Sequence, residues 1–385
     1  ATPAPGPHHC NEHVSDGPAP LHRPPAPLTA PASPGWVAAT AGEPPPVRQD
    51  RAMTIDPKIE LHVHLEGTIR PGALLRFARR NDVTLPADTE PELARIYEFR
   101  DFPHFLQVWV MTTNCLRTAD DFRQVVVDYA AEAAGYGAVY LEGIFSPAER
   151  IERGVDGDEL FTGYTEGAVE AWEKHGVRVR FTPDLYRSMP DLTIADQVVE
   201  LCAKYADRGV VGLGVGGLET AAPLARFAKC LKMARDAGLG LAPHAGEAAG
   251  PDSVAEALSY GPARIRHGIR AVEDPALLAE IAAREVVLDV CPTSNLRTRV
   301  VTDLAAHPLP ALAAAGALCS ISTDDPAMFG ADLGREYELA AQLGVPPRDA
   351  YRAGVAGALC DSQTRDALVA IGEAADWTDH AAPRG

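Results

Sequence analysis

Eight short apolar runs separated by stretches of helical periodicity restrict this chain more than any other feature. They lie at 59–63, 138–145, 177–182, 210–213, 239–243, 264–267, 286–290 and 318–322. Between most of them, apolar residues recur at spacings of three and four, at 120–134, 158–175, 194–206, 223–237 and 275–284. That spacing is the mark of amphipathic helices. Strands joined by helical crossovers form a parallel sheet, and eight such units close an α/β barrel of the (β/α)8 TIM type. Helical stretches at 335–343 and 349–359 follow the last run and would close the fold. The insert at 81–117 carries Tyr97, Phe102, Phe105 and Trp109; it is expected to form a helical cap near the barrel mouth, although a satellite apolar cluster would use the same residues.

Residues 1–52 are Pro-rich and show no apolar period, so they cannot bury enough surface to offset the entropy of ordering. A disordered tail without the apolar core of a secretory signal is expected there. A single domain is expected at 53–375, starting at Met53, with a flexible C-terminal tail at 376–385. The formal net charge of −18 opposes binding to nucleic acid or an acidic membrane surface, because such binding needs Lys and Arg to neutralise phosphates. No apolar run approaches the roughly 18 residues of a membrane-spanning helix. The seven cysteines, Cys10, Cys115, Cys202, Cys230, Cys291, Cys319 and Cys360, are odd in number and contain no Cys-x-x-Cys. Reduced thiols in a cytoplasm fit that pattern better than a disulfide framework.

In barrels of this class, chemistry sits at the carboxyl ends of the strands, and the unusual polar residues fall there. His62 and His64 close the first run; alternation along a strand points both to one face, with Leu61, Val63 and Leu65 on the other. Two imidazoles on one strand end offer a divalent metal a chelate. His244, Gly246 and Glu247 follow the fifth run, His267 and Gly268 close the sixth, and Asp324 and Asp325 follow the eighth. Each cluster is weak alone, but four at one rim are hard to obtain by accident.

The segments His62-Val63-His64-Leu65-Glu66-Gly67, His244-Ala245-Gly246-Glu247, Arg264-Ile265-Arg266-His267-Gly268, Cys291-Pro292-Thr293-Ser294-Asn295 and Ser322-Thr323-Asp324-Asp325-Pro326 resemble, in order, the signature set of the adenosine deaminase family within the amidohydrolase superfamily. The likeness runs from about 57 to 361. It implies a zinc-dependent (β/α)8 barrel that hydrolyses the 6-amino group of a purine. The metal ligands would be His62, His64, His244 and Asp324, holding one Zn²⁺ per chain with room for a water whose pKa falls toward about 7. Glu247 would protonate the ring nitrogen N1, and His267 and Asp325 would handle the attacking water. Glu66 would lie near the ribose 5′ side, and the Gly217 N–H would contact the purine.

The run Gly212-Leu213-Gly214-Val215-Gly216-Gly217 also satisfies the dinucleotide-loop pattern G-x-G-x-x-G, which would signal an NAD-dependent oxidoreductase. A helix should open at once after such a loop, but residues 218–223 delay it. A non-enzymatic metal-binding barrel is a second rival, and it fits poorly because structural zinc sites are usually closed. Three departures from the family pattern bear on substrate. Glu66 replaces a common Asp, Gly214 and Leu218 stand where acidic residues are common, and Arg266 and Arg270 add positive charge near the sixth strand. Adenosine is the first expectation as the small-molecule partner. Aminodeoxyfutalosine of menaquinone biosynthesis is the alternative, with adenine behind it.

Overall fold

The computed structural model describes residues 55–99 and 102–377. The tail expected at 1–52 lies outside them. Ten strands follow in order: β1 (Lys58–His64), β2 (Ala138–Ile144), β3 (Arg178–Phe181), β4 (Asp184–Tyr186), β5 (Gly212–Gly216), β6 (Gly240–Leu241), β7 (His244–Ala245), β8 (Arg264–His267), β9 (Val287–Val290) and β10 (Cys319–Ile321). Neighbouring strands pair in parallel, as helical crossovers require.

These ten strands fill eight barrel positions, because proline divides two of them. Pro183 separates β3 from β4, and Pro243 separates β6 from β7. Proline has no N–H to give a ladder. Its carbonyl still serves: Pro183 O accepts from Gly214 N at 2.9 Å and Pro243 O from Arg266 N at 3.0 Å. First and last positions meet where Asp324 N donates to His62 O at 3.1 Å and His64 N donates to Asp324 O at 2.8 Å. The barrel is thus closed through the backbone of three residues expected in the site.

Two expectations need correction in detail. The fourth run was expected at 210–213. Val210 and Val211 do pair with Phe181, but the strand continues through Gly212–Gly216, because glycines carry no apolar signal yet fit a crowded interior. Leu61 does not share a face with Val63 and Leu65. The register of β1 against β2 slips between Glu60 and Val63, and Leu61 packs with Ile59, Tyr140 and Tyr351 while Val63 and Leu65 join the larger apolar core. The bulge turns His62 and His64 to the rim while Leu61 stays below.

Helices cover the outside. Thr118 and Asp121 form a reciprocal capping box at the start of Ala119–Gly135, and Asp156 caps Gly157–His175, which ends at Gly176 with φ 69°. Each arrangement satisfies backbone groups a helix end leaves open. The insert forms the helices Glu90–Ile96 and Phe102–Thr113. The Trp109 ring lies 5.8 Å from that of His64, so the insert reaches the barrel mouth as expected. The closing helices Leu333–Gln342 and Pro347–Gly357 are followed by a third, Ser362–Ala374. Trp377 docks on Tyr351 at 5.6 Å and donates to Gly372 O at 2.9 Å, so ordered structure passes the expected boundary at 375. No helix among the described residues is long and apolar enough to cross a membrane.

Candidate active site

The strand ends bring His62, His64, His244, His267 and Asp324 together. His62 Nε2 and His64 Nε2 lie 3.3 and 3.4 Å from Asp324 Oδ1, and His64 Nε2 lies 3.2 Å from His244 Nε2. The ring of His62 is 4.8 Å from that of His244 and 4.7 Å from that of His267. Arg264 and Arg266 take the inward positions of β8, so alternation would send His267 outward. Its backbone, at φ 60°, breaks that alternation, and Asp324 sits at φ 65°. Non-glycine residues rarely hold this conformation, and it concentrates at functional sites.

The residues fit a divalent cation. Burial pushes His62 down to about 3 and His64 down to about 4, so both imidazoles are neutral near neutral pH and offer lone pairs. His62 Nε2 has no hydrogen-bond partner among the described residues. Its Nδ1 lies 3.5 Å from Asp289 O, a contact in which only the ring can donate, which leaves the Nε2 lone pair facing the cluster. Two Nε2 atoms 3.2 Å apart beside a carboxylate repel unless a proton or cation lies among them.

The expected acid and base groups surround this cluster. Glu247 Oε2 lies 3.6 Å from His267 Nε2, which in turn lies 3.8 Å from Asp324 Oδ2. Burial pushes the Glu247 carboxyl up. Asp325 stands over Gly67, where an added Cβ would meet its Oδ1 at 2.0 Å; the glycine of the first motif is a steric requirement. Asp325 Oδ1 has no hydrogen-bond partner among the described residues, and burial with the Asp324 charge pushes its carboxyl well up. Glu66 is buried, accepts from Ser146 N at 2.9 Å and is pushed by burial up to about 7. Gly217 follows β5 on the exposed surface at φ 79°.

The glycine run of β5 serves the site and is not a nucleotide loop. A Cβ on Gly214 would meet Asp184 Oδ1 at 2.0 Å, and one on Gly216 would meet Asp184 Oδ2 at 2.5 Å and His244 Nδ1 at 3.1 Å. The glycines clear room for Asp184, whose Oδ2 lies 3.3 Å from His244 Nδ1. The charge of Arg266 is not presented to a substrate, contrary to expectation. Arg266 is fully buried, pairs with Asp184 and donates to Thr182 Oγ1 at 2.7 Å, while Arg270 pairs with Glu273.

Several supporting groups escaped the sequence reading. Ser294 Oγ donates to Asp324 Oδ2 at 2.6 Å, Asn295 Nδ2 lies 3.3 Å from His267 Nδ1, and Cys291 Sγ lies 3.6 Å from His62 Nδ1. All three belong to the Cys-Pro-Thr-Ser-Asn segment, whose motif marks the family without indicating what each side chain touches. Asp184 and Glu219 carried no sequence signal.

The profile described as adenosine deaminase matches residues 57–370. The chain is 53% identical over 329 residues to an aminodeoxyfutalosine deaminase of Acidothermus cellulolyticus, across 83% of this chain and 92% of that protein. An adenine deaminase structure from Arthrobacter aurescens superposes with a TM-score of 0.77 at 30% identity, over 82% of this chain and 98% of that one. An amidohydrolase from Burkhoderia ambifaria, solved with bound zinc, gives a TM-score of 0.76 at 25% identity, over 83% and 90% of the two chains. Matched in barrel order, in motifs and across most of its length, the chain is a hydrolytic deaminase and belongs to the adenosine deaminase family.

Proposed function

We propose that this protein hydrolyses the 6-amino group of aminodeoxyfutalosine, releasing the 6-oxo product and ammonia. The observation that carries the choice is the 53% identity to an aminodeoxyfutalosine deaminase over 92% of that protein's length. It favours the alternative expectation over adenosine. Adenine is the second reading, supported by the likeness to the adenine deaminase structure.

His62, His64, His244 and Asp324 would hold one zinc ion, which when bound supplies an acidified water, its pKa near about 7. The protein's own groups then manage protons. Glu247 donates to ring nitrogen N1, which makes C6 electron-poor enough to accept an oxygen nucleophile. Asp325, grouped with His64 and Asp324, would be ionised beside the bound cation and take a proton from the water. His267, between Glu247 and Asp324, orients the attacking oxygen. The carbon–nitrogen bond breaks as the amino group takes up a proton, so one water is consumed for each ammonia released. Glu66 and Gly217 would contact the sugar side and the purine.

The test is a panel of 6-aminopurines differing only at N9, ranked by kcat/KM. Aminodeoxyfutalosine should exceed adenosine and adenine by about 10-fold or more. Adenine or adenosine at the head of the ranking would overturn the assignment.

A further inference from the structure

Glu219 opens a short 3-10 turn three residues beyond β5 and is only 6% exposed. Its carboxylate gathers five donors. Oε1 accepts from Gly246 N and Ser253 Oγ, both at 2.7 Å. Oε2 accepts from Glu247 N at 2.9 Å, Ala248 N at 2.7 Å and Ala249 N at 2.9 Å. Four consecutive backbone N–H groups are thus drawn to one anion, an arrangement that concave backbone permits. Gly246 supplies the bend, at φ 68°. Burial opposes the charge of Glu219, yet these hydrogen bonds hold its carboxyl below the usual carboxylate range.

The segment so gripped begins directly after β7, which carries His244, and contains Glu247. Its other end is tied by Arg187, itself 1% exposed. Arg187 Nη2 donates to His244 O at 2.8 Å and Nη1 to Ala222 O at 2.7 Å. The turn after β5 and the loop after β7 are therefore fastened at both ends by buried ions of opposite charge. The side chain of Glu247 stands with Oε2 3.6 Å from His267 Nε2 and is also hydrogen-bonded by Thr298. The backbone N–H of Glu247 and those on either side of it are held by Glu219.

We propose that Glu219 is a positioning residue for proton donation: it acts through Glu247, holding the donor at the distance from C6 and N1 that turnover needs. This rests on the reading of Glu247 as the proton donor. The hydrogen bonds of Glu219 run to residues 246–253, so its effect on turnover is exerted through the geometry of the loop it gathers.

The experiment is a double-substitution cycle on the full-length, metal-loaded protein with Glu219→Gln, Glu247→Gln and the pair, reading kcat, KM and metal content with the best 6-aminopurine of the panel. Glutamine keeps the size but turns N–H groups against N–H groups. Glu219→Gln should lower kcat by about 10- to 100-fold, with KM within about threefold and metal content unchanged. In the Glu247→Gln background the same change should lower kcat by less than about twofold. Multiplying losses in the pair, with Glu247→Gln itself severe, would overturn the positioning role alone. Glu247→Gln within about tenfold of wild type would overturn the donor reading, and positioning with it. If Glu219→Gln does not fold, Ser253→Ala removes one donor of five and runs the same cycle. A fall in kcat of about two- to fivefold that vanishes beside Glu247→Gln supports the proposal, and one that persists there contradicts it.

Discussion

Two layers of the barrel interior use the same kinds of residue to opposite ends. In the lower layer, fully buried Arg264 donates to Asp289 Oδ2 at 2.7 Å, Gly357 O at 3.0 Å and Leu61 O at 3.1 Å, and pairs with Glu142 at 2.5 Å. Asp289 also accepts from Ser320 Oγ at 2.6 Å, and Glu142 from the Tyr140 hydroxyl at 2.8 Å. At the rim, His62 Nε2, His64 Nδ1 and Asp325 Oδ1 are buried with no hydrogen-bond partner among the described residues. Glu142 Oε2, Arg266 Nε and Asp184 Oδ2 also lack a hydrogen-bond partner among those residues, but each of those side chains faces an opposite charge, whereas the rim imidazoles are neutral. A buried polar atom left unpaired is costly, so neutralised charges that hold the barrel together stand apart from rim groups free to take a ligand. Arg266 and Asp184 lie between the layers, paired like the lower one but touching His244 of the upper.

Substitutions in the two layers should have opposite effects on activity and stability. The largest effect is expected at the rim: Glu247→Gln should cut kcat by about 10²- to 10⁴-fold with little change in Tm. A comparable loss of thermal stability would place Glu247 among the structural charges. Arg264→Met should do the reverse, costing about 3–5 kcal/mol in chemical denaturation by leaving Glu142 and Asp289 unpaired, while kcat per folded molecule stays within about threefold. Asp184→Asn tests the boundary. It should weaken metal retention by about 10- to 100-fold in competition with a chromogenic chelator, and unchanged retention would detach Asp184 from His244.

The smallest effect concerns a buried acid behind the rim. Glu336 is fully buried, accepts from Thr293 N at 3.0 Å and is pushed by burial up to about 7 from an ordinary 4.5. The folded chain therefore keeps a proton that the unfolded chain releases. The stability this adds is complete below about pH 4.5 and disappears as pH rises toward 7. Tm measured from pH 4.5 to 8 should fall less steeply in Glu336→Gln than in wild type. Identical slopes would contradict the assignment. Glu60 and Glu66, each also pushed up to about 7 by burial, act in the same sense, so part of the slope should survive.

What sequence alone could show follows the same division. His62, His64, His244, His267 and Asp324 were legible because unusual polar types fall at strand ends, and strand ends follow from apolar runs. Arg266 was misjudged because its partner Asp184 is remote in the chain, and a sequence displays charge without its neutralisation. The β5 glycines match the dinucleotide-loop spacing while the delayed helix argues against one, and spacing does not say which side chain fills the space they clear. Glu219 was invisible for another reason: four of its five partners are backbone N–H groups, which every sequence has everywhere.

A single catalytic cation at the rim is the premise on which every other role assigned to the site rests. Ammonia release from aminodeoxyfutalosine should be followed while metal-stripped protein is titrated with zinc. Activity should be near zero without zinc, rise linearly, and reach a plateau at one equivalent per chain. Full turnover by the stripped protein, or a plateau at two equivalents, would contradict that premise.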